Sequence, residues 1–102
     1  MKEYKIVWAQ TAIDDLRAIR TYIEAELLSP ETARQIAQSI YESAASLAQM
    51  PYRCPADQEV PAYRYLIEGN YYIYFRITES PSAIQITLVR NHLQRRLLSM
   101  RG

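Results

Sequence analysis

Two runs of apolar residues at helical spacing, separated by no more than Leu28-Ser29-Pro30, constrain this chain more than any other feature. In the first run Ala12, Leu16, Ile19, Ile23 and Leu27 recur every three or four residues, which predicts an amphipathic helix over residues 12–27. Thr11, with Asp14 three residues later, has the form of a capping box in which Asp replaces the usual Glu. In the second run Ala33, Ile36, Ala37, Ile40, Ala44, Leu47 and Ala48 make one narrow, alanine-rich face. Ser29 is suited to cap this helix, Pro30 to its first position, and Glu31 to the positive end of its dipole. Met50-Pro51 ends it. A link this short predicts an antiparallel helical hairpin, and the small side chains allow the two helices to approach closely.

Such a hairpin must cover its apolar side, and the rest of the chain reads as strands. Residues 3–8 alternate, with Tyr4, Ile6 and Trp8 on one face and Lys5 and Val7 on the other. After a proline-containing loop over residues 51–62, Tyr63 to Glu68 and Tyr71 to Thr78 form two strands around Gly69-Asn70, both of which tolerate positive φ. Glu79-Ser80-Pro81-Ser82 is a further turn. Ala83 to Arg90 is the last strand, with Ile84, Ile86 and Leu88 alternating against Gln85, Thr87 and Val89. The order is β-α-α-β-β-β. It predicts a single α+β domain over residues 1–102, with the helical hairpin packed on one face of a mostly antiparallel sheet.

Composition narrows the chemistry. One cysteine, Cys54, excludes an internal disulfide and a cysteine-based zinc site, and one histidine excludes a multi-histidine metal site. Gly69 and Gly102 fall in no phosphate-cradling pattern, so no nucleotide, metal or other cofactor is expected. No apolar run approaches membrane-spanning length, and Met-Lys-Glu-Tyr-Lys lacks the apolar core of a secretory signal, so a cytoplasmic location is expected. The net charge of +1 conceals an asymmetry. Residues 1–59 carry nine acids and six bases, whereas residues 60–102 carry six bases and two acids, Glu68 and Glu79. From Arg90 onward there are four arginines and no acid. A basic edge on an ordinary globule follows.

The segments that carry a family resemblance are Tyr4-Lys5-Ile6-Val7-Trp8, Ala12-Ile13-Asp14-Asp15-Leu16, Tyr22-Ile23 and Ser29-Pro30-Glu31-Thr32-Ala33. They continue with the Leu47 to Pro51 exit, Tyr63-Arg64, Gly69-Asn70 with Tyr71 to Ile77, and Val89-Arg90-Asn91-His92 followed by Arg95 and Arg96. In order and spacing, over nearly the whole chain, these resemble the RelE/ParE superfamily of bacterial toxins from type II toxin–antitoxin pairs. The resemblance implies growth inhibition, plasmid stabilisation and a small cognate antitoxin that wraps the toxin near the helices and the sheet edge. It implies contact with operator DNA only through that antitoxin. It leaves two activities open: ParE-like inhibition of DNA gyrase, or RelE-like, ribosome-dependent cleavage of mRNA. A degenerate toxin that serves only as an antitoxin-binding co-repressor is a third reading.

Cleavage by a ribose 2′-hydroxyl needs proton removal, proton donation and positive charge on the phosphorane. The residues suited to it are Arg64, Tyr72, Arg76, Arg90 and His92. Nuclease members of the superfamily commonly have an arginine where this chain has Tyr72, and an arginine three residues before the histidine, where here Arg90 precedes His92 by two. The first departure, Tyr72, favours the ParE-like branch and a target contact through Arg64, Tyr72, Tyr74, Arg76, Arg90, His92, Arg95 and Arg96; the second leaves the register of the last strand open by one residue. Alternation puts Ile73, Phe75 and Ile77 toward the helices and Tyr72, Tyr74 and Arg76 on the opposite face. Tyrosine and arginine are the types that dominate recognition surfaces. The outer side of the hairpin, with Asp15, Arg17, Arg20, Glu24, Gln35, Gln38 and Glu42, reads as a solvated face. Cys54 has no evident base partner.

Overall fold

The computed structural model describes residues 3–92. Strand β1 (Lys5–Trp8) leads through Ala9 straight into helix α1 (Gln10–Leu27), and helix α2 (Pro30–Ala45) returns antiparallel to it. Strands β2 (Arg64–Glu68), β3 (Tyr71–Glu79) and β4 (Ser82–Asn91) follow a loop that contains two short 3-10 turns. The sheet order is β1-β4-β3-β2. β1 runs parallel to β4, and the other two pairings are antiparallel. The expected α+β architecture is therefore present, and the α1–α2 hairpin covers one face of the sheet.

Local chemistry explains most boundaries. Ser29 Oγ accepts the Thr32 N–H at 3.2 Å, and Pro30 occupies the first helical position, where its missing donor has no consequence. α1 starts earlier than its apolar period and without a side-chain cap. The Ala9 N–H continues the β1–β4 ladder by donating to Ile86 O at 2.9 Å, so the helix begins directly off the strand. The Thr11–Asp14 capping box does not form; the Thr11 hydroxyl instead donates to Thr87 O at 2.6 Å. Gly69 alone takes positive φ in the β2–β3 turn, +60°, while Asn70 does not, as in a two-residue loop that needs glycine at its first position.

The core lies between hairpin and sheet. Ala12, Ile40, Ala44 and Leu47 meet Ile73, Phe75, Ile84, Ile86 and Val89, with Tyr4 and Cys54 at its margin. Here the expected alternation of β4 needs correction. A β-bulge shifts the β3–β4 register between Tyr74 and Phe75, which pair with Leu88 and Ile86, and leaves Thr87 without a partner on β3. Beyond the bulge the strand parity reverses, so Val89 is buried and Leu88 turns to the other face.

Candidate functional site

The face of the sheet away from the helices carries Tyr65 and Ile67 from β2, Tyr72, Tyr74 and Arg76 from β3, Arg90 of β4 opposite Tyr72, and Lys5 and Val7 from β1, by strand alternation and register. The two strand carboxylates turn the other way. The Ser43 hydroxyl of α2 donates to Glu68, and Glu79 accepts from Tyr4 Oη at 2.9 Å and Tyr52 Oη at 2.5 Å. The described strand residues thus leave this face without an acid of its own. That bond to Glu79 raises the Tyr52 phenol above its ordinary value, with desolvation adding to it.

The residues singled out in the sequence separate into distinct settings. Tyr65, Tyr72 and Tyr74 form one ring cluster, with centroids 5.4 Å apart for Tyr65–Tyr72 and 6.0 Å for Tyr65–Tyr74. Tyr74 is fully buried, at 0% exposure, and offers a partner no surface; Tyr72 is half-buried. Arg76 is exposed, its guanidinium 6.0 Å from the centre of the Tyr63 ring. Tyr72 and Arg76 lie four residues apart on one strand, about 13 Å at the rise of an extended chain.

Arg64 lies on the helix-facing side instead. It pairs in register with Phe75, donates from Nη1 to Cys54 O at 2.6 Å, and sits over the Tyr52 ring at 5.1 Å. Arg90 is held too: its Nη1 is 2.6 Å from Asp15 Oδ2, with side chains 16% and 20% exposed. His92 is exposed at the end of β4, where its backbone N–H donates to Asn70 O at 2.9 Å and ties that end to the β2–β3 turn. Arg95 and Arg96 lie outside the described residues.

Two features escaped the sequence reading. Asp15, taken for part of a solvated helix face, accepts both the Arg90 guanidinium and the Val89 N–H, the latter at 2.9 Å. The available signal is its place four residues after Thr11, on the same face of the helix. The second feature is a cleft of about 320 Å³ between the helices, lined by Ile13, Leu16, Ala37 and Tyr41 together with Arg17, Arg20 and Arg34. Trp8 stacks on Tyr41, 6.0 Å between centroids. The three arginines stand on the half of the chain with the acid excess, so they concentrate positive charge where composition does not predict it.

A helical hairpin on a four-stranded mixed sheet, with an acid-free Tyr/Arg face, defines a small α+β class of domain, and its likeness to known proteins gives the family. The family model described as the ParE toxin of the type II toxin–antitoxin system, parDE, matches residues 6–96, and the chain belongs to that family. Among solved structures, one from the chromosomal ParDE toxin–antitoxin system of P. aeruginosa is 28% identical with a TM-score of 0.77, covering 89% of this chain and 98% of that one. The fold also matches the RelBE2 toxin–antitoxin complex of Mycobacterium tuberculosis, at 22% identity, TM-score 0.68 and 89% and 93% coverage. It further matches a YoeB/ParE toxin of Agrobacterium tumefaciens, at 15% identity, TM-score 0.59 and 86% and 98% coverage. No curated protein matches the sequence significantly. Among the described residues, no helix is long and apolar enough to cross a membrane.

Proposed function

We propose that this type II toxin acts on DNA gyrase by protein–protein contact through the outer sheet face and the end of β4 that carries His92, and that it is neutralised by a cognate antitoxin. The observation that carries the reading is that the groups a nuclease would need are engaged elsewhere or set apart, although Tyr72 and Arg90 are cross-strand partners. Arg64 faces the helices and is bound to Cys54 O, Arg90 is bound to Asp15, and Arg76 stands about 13 Å along the strand from Tyr72. General acid–base cleavage needs its proton donor and acceptor within hydrogen-bond reach of one phosphate. Tyr72 at the position where nuclease relatives carry an arginine points the same way. What remains on the surface, Tyr72, Arg76 and His92, suits a contact patch.

The cleft between α1 and α2 supports the second half of the proposal. An apolar lining beside three arginines fits an acidic segment with apolar anchors, the composition expected of an antitoxin arm. The P. aeruginosa match belongs to a ParDE system, which is consistent with such a partner. Purified protein added to a gyrase supercoiling reaction tests the target. Inhibition that reaches completion as toxin is raised is the expected result. Unaffected supercoiling at saturation, together with cleavage of ribosome-bound transcripts, assigns the toxin to the mRNA interferases instead.

A further inference from the structure

β1 is too short to cover β4. It pairs with Ala83 to Ile86 and ends at Trp8, so among the described residues no strand lies beside the β4 edge from Thr87 to Arg90. Helix α1 stands there instead. Thr11 Oγ1 donates to Thr87 O at 2.6 Å, and four residues on, Asp15 Oδ2 accepts the Val89 N–H at 2.9 Å. Residues four apart in a helix share a face, so one turn of α1 presents a donor and an acceptor to successive open groups of the strand edge. The same Asp15 oxygen takes the Arg90 guanidinium at 2.6 Å. Arg90 sits just past the bulge at Thr87, where the ladder is interrupted and the strand is most free to bend.

We infer that Asp15 is the positioning residue of the distal half of β4. It replaces the edge pairing that β1 does not reach, fixes Arg90 as an internal partner, and thereby sets the orientation of the turn that carries His92. Arg90 then acts through Asp15 and not as a cation offered to a target. The functional arm of this inference rests on the reading that this end of the sheet meets the toxin's target, whichever that target is.

Two measurements on the full chain test it. Amide hydrogen exchange is followed at Val89 and Ile73 in the wild type, D15A, D15N and R90Q. Growth inhibition on induction, at matched protein levels, is compared for the wild type, D15A, R90Q and the double variant D15A/R90Q. In D15A the Val89 amide exchanges about tenfold faster while the core amide of Ile73 is unchanged. D15N retains an acceptor oxygen but not the charge, and exchanges about threefold faster than wild type at Val89, which keeps the test usable where D15A folds poorly. D15A and R90Q each weaken growth inhibition by similar factors, and the double variant is no weaker than either. Unchanged Val89 exchange in both Asp15 variants overturns the inference. So do losses that multiply in the double variant, because Arg90 would then contact the target on its own account. Neither readout presupposes gyrase, so failure of the gyrase assignment stays distinguishable from failure of this one.

Discussion

Cys54 and Tyr71 show how burial leads in setting chemistry in this small core. Cys54 is 4% exposed, and desolvation pushes its thiol above the ordinary 9.0, against the lowering influence of Arg53 and Arg64. The Tyr71 phenol is raised above 10.0, first by burial and then by Tyr22. A raised pKa means that the folded chain holds these protons at a pH where the unfolded chain has lost them. Stability from both groups is fully present below pH 9 and is lost as pH rises through the folded values. The melting temperature should therefore fall between about pH 9 and 11, and C54A should flatten the lower part of that decline in a pH series of thermal melts. The thiol should also alkylate slowly at pH 8 in the native protein and rapidly in denaturant. Asp57, which accepts the N–H groups of Glu59 and Val60 at 3.0 and 2.8 Å, is buried for an equally local reason: it closes the loop that leads into β2.

At the scale of elements, the hairpin link tests how far local signals reach. Ser29, Pro30 and the alanine face were legible because capping and helical period depend on neighbours in the chain. Leu28 was not, since nothing in its side chain announces the left-handed conformation it adopts at the end of α1, φ 51° and ψ 36°. It is 84% exposed, so its strain has no compensating burial. L28N should stabilise the protein by about 0.5–1 kcal/mol, read as a shift in urea midpoint, because asparagine tolerates that region and leucine does not. The same limit explains the error in β4. Period-2 alternation has no means of announcing an inserted residue, so Thr87 hid a parity change and Leu88 was read as core in place of Val89. Val89→Ala should cost about 2 kcal/mol and Leu88→Ala less than about 1 kcal/mol in chemical denaturation, the reverse of the order that alternation implies. The candidate site suffered in the same way. Tyr72 and Arg76 were placed on their face by parity, whereas the partners of Arg64 and Arg90 lie 10 and 75 residues away in sequence.

For the whole molecule, the proposed function gives different work to two surfaces. One is the outer sheet face with the end of β4; the other is the arginine-lined cleft on the opposite, helical side. If the cleft receives an acidic antitoxin segment and the sheet face meets the target, toxicity and neutralisation separate by mutation. Arg17, Arg20 and Arg34 are exposed, and the pairs that Arg17 and Arg34 make, with Asp14 at 3.9 Å and Glu31 at 2.7 Å, are surface pairs between neighbouring helical turns. Such pairs contribute little to folding, so the triple variant R17Q/R20Q/R34Q should keep its melting temperature within a few degrees. Each arginine lost from a contact rim costs up to about 1 kcal/mol of binding, so the three together should weaken antitoxin affinity roughly tenfold or more. The loss should fall mainly on the association rate, and the salt dependence of that rate should flatten, because exposed charges act through steering and are screened over about 8 Å at physiological salt. Surface plasmon resonance at two salt concentrations, beside growth inhibition by the toxin alone, decides the matter. Undiminished toxicity with slower, less salt-sensitive antitoxin capture supports the division. Unchanged capture, or a parallel loss of toxicity, means that the cleft is not where the two functions part.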